Sequence, residues 1–232
     1  MTSLLITFKC YTMLRDQFTA YTIGTNLFAS WEEVEQAVVS FVDNYLPDFI
    51  VYYKSQGSPT GENRITDLLS YHFNTCQQGY LPLFFGKNPS QEKGFRESDL
   101  GVYAKDRNMK PMLPIFEFEA KKLSPSSTSH EYVYGERGGM ERFKREIHSP
   151  HLPHCGLLGY ILCNNINHWS NKINTWITRL ANLSPKEGLD WQGTDELLHF
   201  AGANGTIAKY VSKNKRITLS DIAIIHYLID LQ

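Results

Sequence analysis

The segment IFEFEAKKL, residues 115–123, combines an apolar pattern and a charged pattern in one short run. Side chains alternate between the two faces of a β-strand, so the segment can be divided by odd and even positions. One face then carries Phe116, Phe118 and Ala120. The other carries Ile115 followed by Glu117, Glu119 and Lys121. A strand that is hydrophobic enough to lie inside a domain therefore has a charged second face, and that charge requires an explanation.

The stretches before this strand supply further carboxylates. SDLGVYA, residues 98–104, also alternates with a period of two, which predicts a neighbouring strand with Leu100 and Val102 on its buried side and Asp99 on the other. TGENRITDLLSYHF, residues 60–73, has apolar residues at helical spacing, and Glu62 falls in the first turn of that helix. Acidic residues from three consecutive elements are thus candidates for one site.

The rest of the chain predicts an α/β domain. GGMERFKREIH (138–148) is helical, GLLGYILC (156–163) is a buried strand, HWSNKINTWITRLANL (168–183) is an amphipathic helix, and the tail from residue 205 gives two more strands. This order indicates a central mixed sheet flanked by helices.

The whole chain, 1–232, is expected to form a single domain. Residues 1–58 are an N-terminal helical extension, 59–165 the catalytic core, and 166–232 the helix and strands that complete the fold. In the extension, Ser30 and Glu33 form a capping box for a helix that Pro47 is expected to end. The role of residues 1–50 stays open between a dimerisation element, a sensor and an added layer of core.

Composition restricts the location and the partners. Lys and Arg number 23 against 24 Asp and Glu, so the net charge of −1 gives no global attraction to nucleic acid or to an anionic membrane. Any phosphate binding must therefore be local. No apolar stretch is long enough to span a bilayer, and the four cysteines are scattered without a CxxC pair. We expect a cytoplasmic protein with free thiols and no membrane partner.

The charged face predicts metal chemistry. Asp99 and Glu119 lie on adjacent predicted strands, on the same face, and Lys121 follows two residues later. Two converging carboxylates repel each other unless a cation lies between them, and oxygen ligands suit Mg²⁺ or Mn²⁺. A neighbouring lysine can position a water or stabilise charge that develops on phosphorus. Phosphodiester hydrolysis fits this combination well.

These motifs resemble the PD-(D/E)xK nuclease superfamily, which has the restriction endonuclease-like fold. The resemblance covers about residues 60–165: Glu62 in the leading helix, Asp99 in FRESDLGVY, Glu119 and Lys121 in FEFEAKKL, and the order of an αβββαβ core. The chain departs from the motif at Ser98, where the family often has the proline that gives it its name.

The resemblance implies a set of metal ligands. Asp99, Glu119 and the carbonyl of Ala120 would bind the first Mg²⁺, for which Mn²⁺ could substitute, and Glu62 would help to hold a second. Two such ions stabilise both the attacking and the leaving oxygen of an in-line displacement.

It also implies roles for two cationic side chains and a biological setting. Lys121 would orient the attacking water or offset charge in the transition state, and Arg142 would contact the phosphate. YVYGERGGMERF (132–143) and the tail are similar in overall pattern to small bacterial nucleases linked to mobile elements or antiviral defence. We therefore expect a Mg²⁺-dependent DNA endonuclease, with a homodimer or a defence-system partner subunit as alternatives for its assembly.

Other functions remain open at this stage. One is a catalytically inactive nucleic-acid-binding or scaffolding subunit with the same fold, and another is a nuclease directed at RNA. Glu117 shares the charged face but is expected to be a charged rim residue. His226, in the last apolar strand, is expected to be a hydrogen-bonded core histidine.

Two short runs allow more than one interpretation. HSPHLPHC, residues 148–155, has the residue types of a zinc site, but its two prolines prevent a helix that would align the ligands, so a polar loop leading into the strand at Gly156 is favoured. SKNKR, residues 212–216, is either an exposed turn or a basic patch for a nucleic-acid backbone.

Overall fold

The structure is a computed structural model that describes residues 33–76, 83–87, 98–104, 113–126, 128–200 and 205–232. The chain divides into two compact units, Met1–Phe41 and Val42–Gln232. The predicted capping box at Ser30 lies outside the described residues, and the elements that carry the candidate site belong to the second unit.

Seven strands in the described residues form one sheet. Their order across the sheet is β1-β2-β3-β4-β7-β6-β5. They are β1 (Leu83–Lys87), β2 (Leu100–Ala104), β3 (Phe116–Leu123), β4 (His154–Ile161), β5 (Leu198–Phe200), β6 (Ile207–Asn214) and β7 (Ile222–Asp230). The three central strands, β3, β4 and β7, are parallel to one another. All other neighbouring strands in the sheet pair antiparallel. The predicted mixed sheet of an α/β fold is confirmed.

Four α-helices accompany the sheet in the described residues. They are α1 (Glu33–Ser55), α2 (Glu62–Cys76), α3 (Gly139–Lys144) and α4 (Ile166–Ala181). From α2 to β4 the order of α-helices and strands is helix, three strands, helix, strand. The first of these strands, β1, was not identified from the sequence pattern. None of the helices in the described ranges is long and apolar enough to cross a membrane.

The helices cover both faces of the sheet. Alternate residues of β4 point to opposite faces: Leu157 lies in the core cluster that contains Trp169 and Ile173 of α4, whereas the hydroxyl of Tyr160 lies 3.2 Å from Thr66 Oγ1 of α2. All eight residues of β4 are buried. Burial on both sides is the reason that its sequence is a continuous apolar run instead of an alternating one.

Pro47 does not end α1, contrary to the sequence prediction. The helix continues to Ser55, although Pro47 lacks the N–H that would bond the carbonyl of Asp43. Phe49 and Tyr53, which follow the proline, are almost fully buried, and Tyr53 Oη donates a hydrogen bond to the carbonyl of Pro59 at 2.9 Å. Packing of this last part of the helix outweighs the loss of one backbone hydrogen bond.

The outer edge of β1 is covered by polar side chains of α2. Asn74 Nδ2 donates to the carbonyl of Phe85 at 2.8 Å, and Phe85 N donates back to Asn74 Oδ1 at 3.0 Å. Ser70 Oγ donates to the same carbonyl at 3.0 Å. The Asn74 amide therefore occupies the position that the peptide group of a further strand would take.

Candidate active site

The candidate site forms where β3 extends past the start of β2. The two strands pair from Phe116 to Phe118, and no strand of the described residues lies beside the next backbone groups on that edge of β3. Side-chain carboxylates bind these backbone groups instead. Ala120 N donates to Asp99 Oδ2 at 2.8 Å, and Lys122 N donates to Glu62 Oε2 at 2.6 Å. Unpaired strand N–H groups thus fix both carboxylates at the same edge.

Glu119 is the centre of an ion-pair cluster on the charged face of β3. Its Oε1 accepts a hydrogen bond from Lys121 Nζ at 2.8 Å and another from Arg142 Nη1, on α3, at 2.9 Å. The Glu119 side chain is 1% exposed, and those of Lys121 and Arg142 are 9% and 13% exposed. Two cations therefore share one oxygen of a buried carboxylate.

The acidic groups of the site are close enough to shift one another's pKa values. Burial and the charge of Glu119 raise the pKa of Asp99 from its ordinary value of 3.8 to about 6. Burial, with a smaller contribution from Asp99, also raises the pKa of Glu62. Burial alone would lower the pKa of Lys121, but the surrounding charges of Glu119, Glu62 and Asp99 outweigh it and raise that pKa. Lys121 therefore stays protonated among three carboxyl groups.

The structure brings together all five side chains that the sequence proposed for the site. Glu62, Asp99, Glu119 and Lys121 interact as described, and Arg142 reaches them through Glu119. Ala120 lies between them, and its N–H faces the Asp99 carboxylate. Because the N–H and C=O of one strand residue lie on the same edge, the Ala120 carbonyl is on the Asp99 side of β3 as well.

The donor chemistry of these residues fits a hard divalent cation. Glu119 Oε2 is buried and has no hydrogen-bond donor within the described residues, and its charge opposes ionisation of Asp99. A cation would satisfy both groups, and oxygen ligands are those of Mg²⁺ and Mn²⁺. In its present geometry, however, the described part of the chain contains no group of three or more His, Cys, Asp or Glu side chains arranged to hold a metal.

Glu117 is not the charged rim residue that was predicted. It is fully buried, and its Oε2 accepts a hydrogen bond of 2.6 Å from Ser149 Oγ. Next to Ser149, the imidazole of His148 is also fully buried, with Nε2 at 3.9 Å from Glu119 Oε2. No period or spacing in the sequence connects these two residues to β3, because they lie about thirty positions away in a loop.

The HSPHLPHC segment does not gather its His and Cys side chains around a metal. His154 and Cys155 are the first residues of β4, which begins two positions earlier than predicted, and both are buried. His151 Nε2 lies 3.1 Å from the carbonyl of Pro114. His148, by contrast, is directed to Glu119.

The SKNKR segment is exposed only at its two lysines, so it is not simply the exposed turn that was one of its two interpretations. Ser212 and Asn214 are buried residues of β6, and the guanidinium of Arg216 is buried and donates to backbone carbonyls, including that of Leu152 at 3.2 Å. The exposed side chains, Lys213 and Lys215, form ion pairs with nearby aspartates. The buried residues of the run therefore have a structural role, because they belong to β6 or hydrogen-bond to the loop that precedes β4.

His226 is the hydrogen-bonded core histidine that was predicted. It is fully buried, with Tyr132 Oη at 3.0 Å from Nδ1 and Ser212 Oγ at 2.8 Å from Nε2. Burial lowers its pKa to about 3, so the ring is neutral.

Comparison of the chain with protein-family models, with curated proteins and with solved structures found no match.

Proposed function

We propose that this protein is a metal-dependent nuclease that hydrolyses phosphodiester bonds, most simply a DNA endonuclease that uses Mg²⁺ or Mn²⁺. One observation supports the proposal above all others: Lys121 is buried among Glu62, Asp99 and Glu119, which come from three separate elements of the chain. A purely structural ion pair needs one carboxylate for one lysine. The three carboxyl groups share two largely buried cations, Lys121 and Arg142. The third cation near Glu62, Lys122, is exposed. The interior of the site therefore has more acidic than basic groups, which suits a divalent cation.

The proposal assigns the first cation to Asp99, Glu119 and the carbonyl of Ala120, and the second to Glu62. Bound there, the metal would supply Lewis-acid chemistry, polarising a phosphoryl oxygen and lowering the pKa of a water. The protein's own contribution is to hold these oxygens on rigid backbone, since Asp99 and Glu62 are anchored by strand N–H groups. Such support keeps the carboxylates in one geometry before substrate arrives.

Lys121 and Arg142 would act on the phosphate. Both are now bound to Glu119 Oε1, and a metal that neutralises Glu119 would free them to donate to the anionic oxygens of the scissile group. Lys121 would offset the negative charge that increases in the transition state, and Arg142 would hold the phosphate in line.

The order of elements from α2 to β4 supports assignment to the PD-(D/E)xK superfamily and to its restriction endonuclease-like fold. The proline of that motif is replaced by Ser98, which is buried beside Asp99. Cys76, Cys155 and Cys163 are free thiols, in keeping with a role in the reducing cytoplasm, for example in bacterial antiviral defence.

The test is cleavage of supercoiled plasmid in Mg²⁺, in Mn²⁺ and in EDTA. The wild type is compared with Lys121→Ala and with Lys186→Ala, an exposed lysine far along the chain from the site. We expect metal-dependent nicking by the wild type and by Lys186→Ala, and none by Lys121→Ala. Cleavage at the wild-type rate by folded Lys121→Ala would refute the site assignment.

A non-catalytic binding subunit is the second candidate. The observation in its favour is that Lys121 and Arg142 neutralise Glu119 internally, as they would in a site that never receives a metal. Isothermal titration of Mg²⁺ and Mn²⁺ separates the two: a nuclease binds these ions and loses the binding in Glu119→Gln, whereas a scaffold shows no heat. Competition between labelled DNA and RNA then decides whether RNA is the preferred partner.

A further inference from the structure

Two consecutive loop residues contact two successive carboxylates of the charged face of β3. Ser149 Oγ donates to Glu117 Oε2 at 2.6 Å, and His148 Nε2 lies 3.9 Å from Glu119 Oε2. His148, Ser149 and Glu117 are fully buried, and Glu119 is 1% exposed. Residues 148 and 149 therefore lie beside alternate side chains of the charged face of β3, next to the candidate site.

This loop is held in place by a residue that follows β6 in the chain. The buried Arg216 guanidinium donates through Nη1 to the carbonyls of Ser149, Pro150 and Leu152 at 3.2 to 3.4 Å. Ser149 has a φ of 51°, a backbone conformation that residues with a side chain seldom adopt. A non-glycine residue keeps such a conformation only where its surroundings enforce it. His148 is thus presented to Glu119 by a fixed support.

The two oxygens of Glu119 differ sharply in their surroundings. Oε1 accepts hydrogen bonds from both Lys121 and Arg142, whereas Oε2 is buried with no hydrogen-bond donor in the described parts of the chain. The 3.9 Å from His148 Nε2 to Oε2 is about 1 Å longer than a hydrogen bond, so a small rotation of either side chain would close it.

We propose that His148 is a positioning residue that holds Glu119 through Oε2 when Lys121 and Arg142 leave Oε1 for a phosphate. This rests on the function proposed above, because the bound metal and the phosphate together would draw the two cations away. Glu119 would then exchange its two hydrogen-bond donors for a role as metal ligand, and a donor at the buried Oε2 would keep the carboxylate in one orientation. The imidazole needs only to be the tautomer with a proton on Nε2, which then donates to Oε2.

The first test needs no catalysis and no metal. His148→Gln keeps a side-chain N–H donor, whereas His148→Met has similar bulk and none, so the pair separates the hydrogen bond from packing. Both are made in the wild type and in Arg142→Met, which removes one of the donors to Oε1. We expect a lower Tm for the Met variant than for the Gln variant in EDTA, and a larger gap between them in Arg142→Met. An equal gap in the two backgrounds would overturn the proposal.

The second test measures how the His148 variants change kcat and KM for cleavage of a plasmid substrate. We expect His148→Met to lower kcat about tenfold or more with little change in KM, as removal of a group that orients a metal ligand does, and His148→Gln to recover most of the loss. Equal losses in both variants would overturn a role in positioning. If the wild type cleaves nothing in any metal, the nuclease proposal fails by itself, and the Tm comparison still decides whether His148 holds Glu119.

Discussion

Replacing Asp99 with asparagine should stabilise the metal-free protein at neutral pH. The pKa of Asp99 is about 6 in the fold, against an ordinary value of 3.8, because burial and Glu119 oppose its ionisation. The folded state therefore binds the proton more tightly than the unfolded chain does. Stability conferred by the protonated carboxyl is full below pH 3.8 and is lost as the pH rises through about 6.

The size of this effect follows from the gap between the two pKa values. At about 1.4 kcal/mol for each pH unit, the ionised carboxylate costs the fold about 3 kcal/mol above pH 7. The asparagine side chain of Asp99→Asn is neutral at every pH, and its amide oxygen can still accept the hydrogen bond from Ala120 N. The variant should therefore gain up to about 3 kcal/mol at pH 8, and little at pH 4.

Urea unfolding from pH 4 to pH 8 in EDTA measures this difference. Subtracting the unfolding free energy of the wild type from that of the variant at each pH gives the contribution of Asp99. Other groups whose pKa is raised, such as Glu62, contribute almost equally to both proteins and largely cancel. Added Mg²⁺ should then stabilise the wild type at pH 8 and have much less effect on Asp99→Asn. A variant no more stable than the wild type at pH 8 would show that burial and Glu119 do not oppose ionisation of Asp99, and would remove one of the reasons to place a cation beside it.

Two further predictions concern the fold. Lys144→Met should lower the free energy of unfolding by about 3–5 kcal/mol, because it leaves the Asp195 carboxylate buried without its cation. In urea unfolding, the double variant Lys144→Met with Asp195→Asn should regain part of the lost stability. A loss of less than about 1 kcal/mol in Lys144→Met would contradict the burial of this ion pair. Gly156→Ala should lower stability by about 2 kcal/mol or more, since a methyl group there would overlap the Phe118 ring. Gly193→Ala, where an added methyl meets nothing within 4 Å, is the matched control, and equal Tm values for the two would refute the predicted overlap.

The sequence predicted those parts of the site that depend on local periodicity. Alternation along β2 and β3 correctly placed Asp99, Glu119 and Lys121 together, because a side chain's face in a strand follows from its position alone. The burial of Glu117 could not be predicted, since it depends on Ser149, which approaches from a loop 32 residues later. The helix through Pro47 was missed for a similar reason, since the residues after the proline pack against another helix, as Phe49 does against His72 of α2.

The hydrogen bonds between Asn74 and Phe85 bear on how molecules of this protein can associate. A bare strand at the margin of a sheet is a template on which another chain can align and continue the sheet, the first step of many aggregation reactions. Here the neighbouring side chain Phe84 is 46% exposed, and its apolar surface would favour the association of an incoming strand. Because one amide already satisfies the peptide group beside it, an incoming strand would have to displace that amide before it could pair. A single side chain from a helix thus hinders strand pairing at this position of β1.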